Sequence, residues 1–173
     1  PELDAAYGAA VIETRLATLH AHGVSVLHSV DATNLAEAAR LMSSGLRFNR
    51  VIWNFPSAVE DGDDNANAKL LVRLFLSLTD SMLRQLITPE CKLTLTLQGD
   101  QYSRWHVACA ARSAFWYTTR VCSDLPPQPY TPVRAGSGAP IPMDGSARRY
   151  EFRCCLAALA RKCTIKLGTE THA

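Results

Sequence analysis

No stretch of this sequence is both long and apolar enough to cross a bilayer. Arg, Lys, Asp or Gln interrupts every candidate well short of the roughly 20 residues such a helix needs. The start lacks the basic, apolar, small-residue succession of a signal peptide, and it also lacks an initiator Met. A chain opening on Pro1 is therefore expected to be processed, tagged or partial. Six cysteines are present, but there is no CxxC pair and no His at zinc spacing. Cys91, Cys109, Cys122, Cys154, Cys155 and Cys163 are expected to be reduced core thiols of an intracellular protein, with neither a metal site nor a disulfide framework. There is no GxxxxGK[ST], no GxGxxG and no GxSxG, so nucleotide hydrolysis and α/β-hydrolase chemistry find no support. An excess of either sign of charge is lacking as well, with 18 Lys and Arg against 16 Asp and Glu. A net charge of +2 permits nucleic-acid binding without indicating it. His20, His22, His28, His106 and His172 have no acidic or Cys partner at a telling spacing, and none is assigned to catalysis.

What remains is ordinary for a globular domain: 173 residues, 47% hydrophobic and 20% charged, enough to bury a substantial core. Apolar residues at helical spacing predict a helix over residues 5–22, closed by Gly23. Val24 to Val30 reads as a buried strand stopped by Asp31-Ala32-Thr33-Asn34, and Leu35 to Met42 as a short helix. Arg50 to Trp53 reads as a strand halted at Asn54-Phe55-Pro56, because Pro56 cannot continue a central ladder. A polar, acidic loop over residues 57–65 leads into a long helix from Ala66 to Leu86. Lys92 to Leu97 alternates into a strand ending at Gln98-Gly99-Asp100. A helix from Tyr102 to Ala114 and a strand from Phe115 to Cys122 follow. Residues 123–147, rich in Pro, Gly and Ser, predict a long loop before a last strand, Arg148 to Leu156. The alternation predicts an α/β fold: a mostly parallel sheet with helices on both faces and an antiparallel pair at its C-terminal edge. The domain is expected over residues 1–156, with 157–173 a frayed tail.

In open α/β sheets ligands sit beyond the carboxyl ends of the strands. Three polar motifs fall at such ends: Asp31-Ala32-Thr33, Asn54-Phe55-Pro56 and Gln98-Gly99-Asp100. Asn54 carries two amide donors and one acceptor, a set that reads the edge of a planar imide such as a nucleobase. Phe55 can stack on a base, and Pro56 stiffens the turn. The Asp31 carboxylate can accept from an adenine amino group with the backbone near Ala32 reading the ring, or it can cap the helix beginning at Leu35. Gln98 and Tyr102 can face the same cleft, whereas Trp105 is expected in the core. The acidic run Glu60, Asp61, Asp63 and Asp64 lacks the spacing of a calcium loop and reads as a solvated lid.

The segments Val24-Ser-Val-Leu-His-Ser-Val-Asp-Ala-Thr-Asn-Leu35 and Phe48-Asn-Arg-Val-Ile-Trp-Asn-Phe-Pro56 together resemble the eukaryotic large-subunit rRNA (uridine-N3)-methyltransferase-like family. So do Asn67-Ala-Lys-Leu-Leu71, Leu93-Thr-Leu-Thr-Leu-Gln98 with Tyr102 and Trp105, and the pair Val133-Arg134 with Gly145-Ser-Ala-Arg-Arg-Tyr-Glu-Phe152. The resemblance runs in order over roughly residues 1–153. It implies a Rossmann-like sheet, S-adenosylmethionine as methyl donor and a uridine in RNA, most simply ribosomal RNA, as acceptor. It implies that Asp31 and Ala32 meet the adenine, with Asn54 near the donor as well. Asn54, Phe55 and Pro56 would then hold the target base, and Ser57, Gln98 and Tyr102 would contact substrate. The family's Gly-Asp-rich donor loop is not in this sequence, so the sheet's first strands are expected to be missing. Ser57 stands where the family has His, and Gln98 where it has Lys. Those replacements keep open a second class: a catalytically silent methyltransferase fold serving as a structural or assembly component among ribosomal-particle proteins. Either role implies the nucleolus or nucleus, or alternatively the mitochondrion, and no membrane.

Overall fold

A computed structural model describes residues 8–28, 30–40, 47–58, 63–123 and 146–162. Chain contacts divide it into two compact units, residues 1–30 with 126–144 and residues 31–125 with 145–173.

The described part of the first unit is helix α1 (Ala9–Ala21) and the segment after it. Gly23, at φ 73°, ends α1 as its sequence promises. Its N–H bonds the carbonyl of His20 and the next N–H that of Leu19, closing the helix with a left-handed residue. The segment 24–30 corrects the sequence reading. Residues 24–28 and Val30 form no strand, and all but the half-buried Val26 are exposed. Strand residues need a ladder, and among the described residues none pairs with this run, so β-branched composition alone does not make it a strand.

The second unit holds α2 (Leu35–Arg40), β1 (Phe48–Asn54), α3 (Asp64–Leu83), β2 (Ile87–Leu97), α4 (Gln101–Arg104), α5 (Val107–Ser113), β3 (Trp116–Cys122) and β4 (Arg148–Cys154). The sheet order is β1-β2-β4-β3. β1 and β2 pair in parallel and are joined through α3, so they form a βαβ unit. β4 pairs antiparallel with both β2 and β3. Three strands thus share a direction while only one ladder is parallel, and the reversed strand is interior, where the sequence placed it at the edge. The composition of the two strands gives the reason. β4 buries Tyr150, Phe152 and Cys154, which need neighbours on either side. β3 carries exposed Tyr117, Thr119, Arg120 and Val121, which suit an outer strand.

The helix-facing side of the sheet is apolar in register. Val51, Leu93 and Phe152 line up across three strands, as do Trp53, Leu95 and Tyr150. Leu71, Leu74, Phe75 and Leu78 of α3 press on this side, all buried. Phe75 meets Phe152 edge-on at 5.2 Å and Trp116 at 6.4 Å. The buried Thr79 hydroxyl donates to the Ala114 carbonyl at 2.7 Å and accepts from the Trp116 indole at 3.0 Å, so α3, α5 and β3 meet at one polar point. Helices α3 and α5 lie on this side. The alternation in β1, β2 and β4 explains it, because the opposite side carries Arg50, Lys92 and Arg153 in register.

The single helix expected from Tyr102 to Ala114 is two, broken at His106, which adopts φ 49°. Residues 156–162 are helical, with Leu159 buried in the core. Of the thiols, Cys91 and Cys154 are buried and Cys109 is exposed; these and Cys122 and Cys155 are free. Cys163 and the Pro/Gly/Ser-rich 124–145 lie outside the described residues, as do 59–62 of the acidic loop.

Candidate functional site

The site forms where the parallel strands β1 and β2 end. The Phe55 N–H still donates to the Thr96 carbonyl at 2.9 Å, one step past β1, and then the chain turns away. The turn places Phe55 at φ 53°, a left-handed conformation that costs a non-glycine residue about 1–2 kcal/mol. It precedes a proline, whose ring disfavours helical backbone in the residue before it. Such strain persists only where the surroundings over-determine it. Here the Phe55 ring is half-buried and Pro56 is buried. The Ala58 N–H donates at 2.7 Å to the Asn67 carboxamide oxygen, itself on a side chain only 1% exposed in α3.

Asn54 is exposed at the tip, directly opposite Thr96 in the ladder. The Thr96 hydroxyl, buried to 2% exposure, donates to the Asn54 carboxamide oxygen at 2.7 Å. The bond holds the carboxamide oxygen of Asn54 toward Thr96.

The loop after β2 is braced from three directions. The Gln98 N–H donates to the Gln101 side chain at 2.8 Å, and the Gly99 N–H to the Ser146 hydroxyl at 3.0 Å. Gly99 sits at φ 55°, where glycine carries no steric cost. Asp63 caps α3, accepting from the N–H groups of Asn65 and Ala66. Asp64 accepts from Arg104 Nε at 2.9 Å, Arg104 Nη2 at 2.5 Å and Trp105 Nε1 at 2.7 Å. Those bonds hold its carboxyl below the usual carboxylate range, the Arg104 hydrogen bond most of all. The start of α3, which follows β1, is thereby clamped to α4, which follows β2.

The sequence-predicted residues divide accordingly. Asn54, Phe55 and Pro56 stand together at the end of β1, and Ser57 follows them, exposed. Gln98 is half-buried beyond the end of β2. Tyr102 stacks on Tyr150 at 4.3 Å and shares a 2.8 Å hydrogen bond with Thr118, so its ring and hydroxyl are engaged inside the fold. Asp31 bends into its own loop, accepting from the Thr33 N–H at 2.8 Å and the Thr33 hydroxyl at 2.7 Å; the hydroxyl bond leads in keeping its pKa low. Ala32 is half-buried against the core. Trp105 is in the core as expected, 3% exposed. Thr96, Asn67 and the Asp64–Arg104 clamp are additions. Strand alternation signals Thr96 on the side of Asn54, but no pattern announces that a helix-borne Asn will hold a loop nine residues earlier. Among the described residues, no group of His, Cys, Asp and Glu can hold a metal ion, and no helix is long and apolar enough to cross a membrane.

A βαβ unit whose first strand ends in a braced Asn-Phe-Pro turn defines an α/β protein, and the carboxyl edge where that turn stands is where open α/β sheets hold their ligands. A family profile described as "rRNA (uridine-N3-)-methyltransferase BTM5-like" matches residues 1–124, and the chain belongs to that family. The match takes in Asp31, Asn54, Thr96 and Tyr102 and stops before β4. No curated protein and no solved structure matches.

Proposed function

We propose that the chain forms the base-binding part of an S-adenosylmethionine-dependent methyltransferase acting on N3 of a uridine in ribosomal RNA, built on a Rossmann-like sheet. The observation that carries this reading is Asn54, held by a buried Thr96 hydroxyl at the end of a family-matched strand. A uracil edge presents carbonyl, N–H, carbonyl. With its own carbonyl turned to Thr96, the Asn54 amide binds a uracil carbonyl oxygen through its NH2, exchanging a contact within the fold for one to the base. Loss of the N3 proton puts negative charge on that oxygen, so the donors bind the reacting form more tightly than the resting one. Phe55 and Pro56 orient the ring and exclude water from one side of it. Ser57 cannot serve as a base in the way a His would, so the N3 proton passes to solvent.

The donor, when bound, supplies the methyl group. The low pKa of Asp31 keeps it ionised and an acceptor, which fits an adenine amino group beside Ala32. Gln98 and Ser57 lie where substrate contacts are expected. The second reading, a silent scaffold within a ribosomal particle, is favoured by Ser57 and Gln98, which stand where the resemblance leads one to expect His and Lys. Calorimetric titration of the full-length protein with S-adenosylmethionine separates the two. Heat and a rise in thermal midpoint support the enzyme, whereas neither at millimolar donor sinks it. In an active preparation Asn54→Ala abolishes methylation with the fold intact, and unchanged activity would reduce the turn to a structural role.

A further inference from the structure

The face of the sheet turned away from α3 carries cations in register. Arg50, Lys92 and Arg153 stand directly opposite one another on β1, β2 and β4, and Tyr117 of β3 ends the row. Neighbouring strands lie about 4.8 Å apart, and like charges placed opposite each other destabilise a sheet. Among the described residues the ion pairs belong to Arg84 and Arg104, neither of them on this face. Arg120 opposes Glu151 in the next row without an ion pair, and Glu90 lines a recess beside Arg50 and Lys92. Two carboxylates therefore face five cations, counting Arg149. Arg149 continues the row of Asn54 and Thr96, and its Nε is shielded from water with no hydrogen-bond partner. Four residues of strand, about 13 Å, separate the row of Asn54 from that of Arg50.

We propose that this face holds the sugar–phosphate backbone of a single-stranded RNA. Arg149 meets a phosphate beside the nucleotide at Asn54, and the Arg50–Lys92–Arg153 row meets phosphates farther along the strand. Guanidinium groups match phosphate geometry, and a row of cations without ion-pair partners among the described residues, in which Arg153 Nη1 donates only to the Glu90 carbonyl at 3.4 Å, loses its self-repulsion once a polyanion binds. Tyr117, 46% exposed, offers a base a flat stacking surface at the end of the row, which an acidic peptide would not use. The inference rests on an RNA substrate for the Asn54 site but not on the methyl donor.

The test is fluorescence anisotropy of labelled oligouridylate and oligoadenylate with the full chain, without donor, at salt from roughly 50 to 200 mM. A triple Arg50→Ala, Lys92→Ala, Arg153→Ala variant is expected to weaken both RNAs alike and to lower the salt slope by about 2, at about 0.7 per phosphate contact on a single strand. Arg84→Ala, on a helix end, should change neither. An unchanged slope in the triple variant overturns the proposal, as does a chain that binds polyglutamate but no RNA. If the triple variant fails to fold, the single Arg50→Ala variant on the exposed strand β1 carries the test: a slope lower by about 0.7 is expected, and no change overturns it. RNA binding that persists without methyl transfer counts against the enzyme reading alone.

Discussion

Thr96 acts on the site through Asn54, without reaching a ligand itself. Its hydroxyl is the hydrogen-bond donor that orients the amide, and Val has nearly the same shape without that donor. Thr96→Val is therefore expected to lower kcat for methylation by about tenfold, the scale of a lost buried hydrogen bond, with a smaller change in KM. Thr96→Ser, which restores the hydroxyl, should recover most of the rate. A packing role predicts the reverse order, with Val the better tolerated, so the two variants distinguish the explanations. Asn54-Phe55-Pro56 stands out in the sequence because proline after a β-branched run has few other uses. Thr96 does not stand out, since it is one of two Thr in a Leu-Thr alternation and gains meaning only once β1 is laid beside β2 in register. Asp31 was legible as an acceptor; which acceptor use it serves depended on the position of Thr33.

At the scale of elements, α3 ends on Gln85, left-handed at φ 61°. The Leu86 N–H reaches back to the Ser81 carbonyl at 2.8 Å and the Gln85 N–H to that of Met82 at 3.0 Å, an ending that ordinarily uses glycine. Gln85→Gly should raise stability by about 0.5–1 kcal/mol in urea unfolding, since relief of the left-handed strain outweighs loss of the exposed Arg47 contact. A fall in stability would mean the Arg47–Gln85 bond matters more than the backbone. The strands β1, β2, β3 and β4 were all legible from alternation and turn residues. The break at His106 was not, because it follows from Trp105 turning into the core to reach Asp64, a contact made across 41 residues of sequence. Val24–Val30 shows the opposite failure. Its composition is that of a strand, yet pairing rather than composition decides.

The whole molecule carries a pH dependence in its core. Burial pushes the Cys91 and Cys154 thiols from an ordinary 9.0 up to about 11. For an acid whose folded pKa is raised, the stabilisation is complete below the unfolded value and fades as pH climbs toward the folded one. The urea midpoint should therefore fall between pH 9 and 11, and a Cys91→Ala, Cys154→Ala variant should show a flatter decline there. An identical slope in that variant would place the alkaline sensitivity elsewhere. In the native state below pH 9, iodoacetamide should label exposed Cys109 and spare both core thiols. The α/β class and the family were open to reading from the sequence. The interior place of the reversed strand was not, because it depends on a pairing made across the whole unit.

That place has a consequence for the order of assembly. β3 pairs with β4 and, among the described strands, with nothing else, and β4 is the last of those strands in chain order. During synthesis β1, α3 and β2 can close on one another early, since each contact is local to the βαβ unit. β3 then waits with an unpaired edge until residues 148–154 slide in between it and β2. Completion of the sheet is thus the slow, non-local step, and the interval before it is when the nascent chain is most open to aggregation.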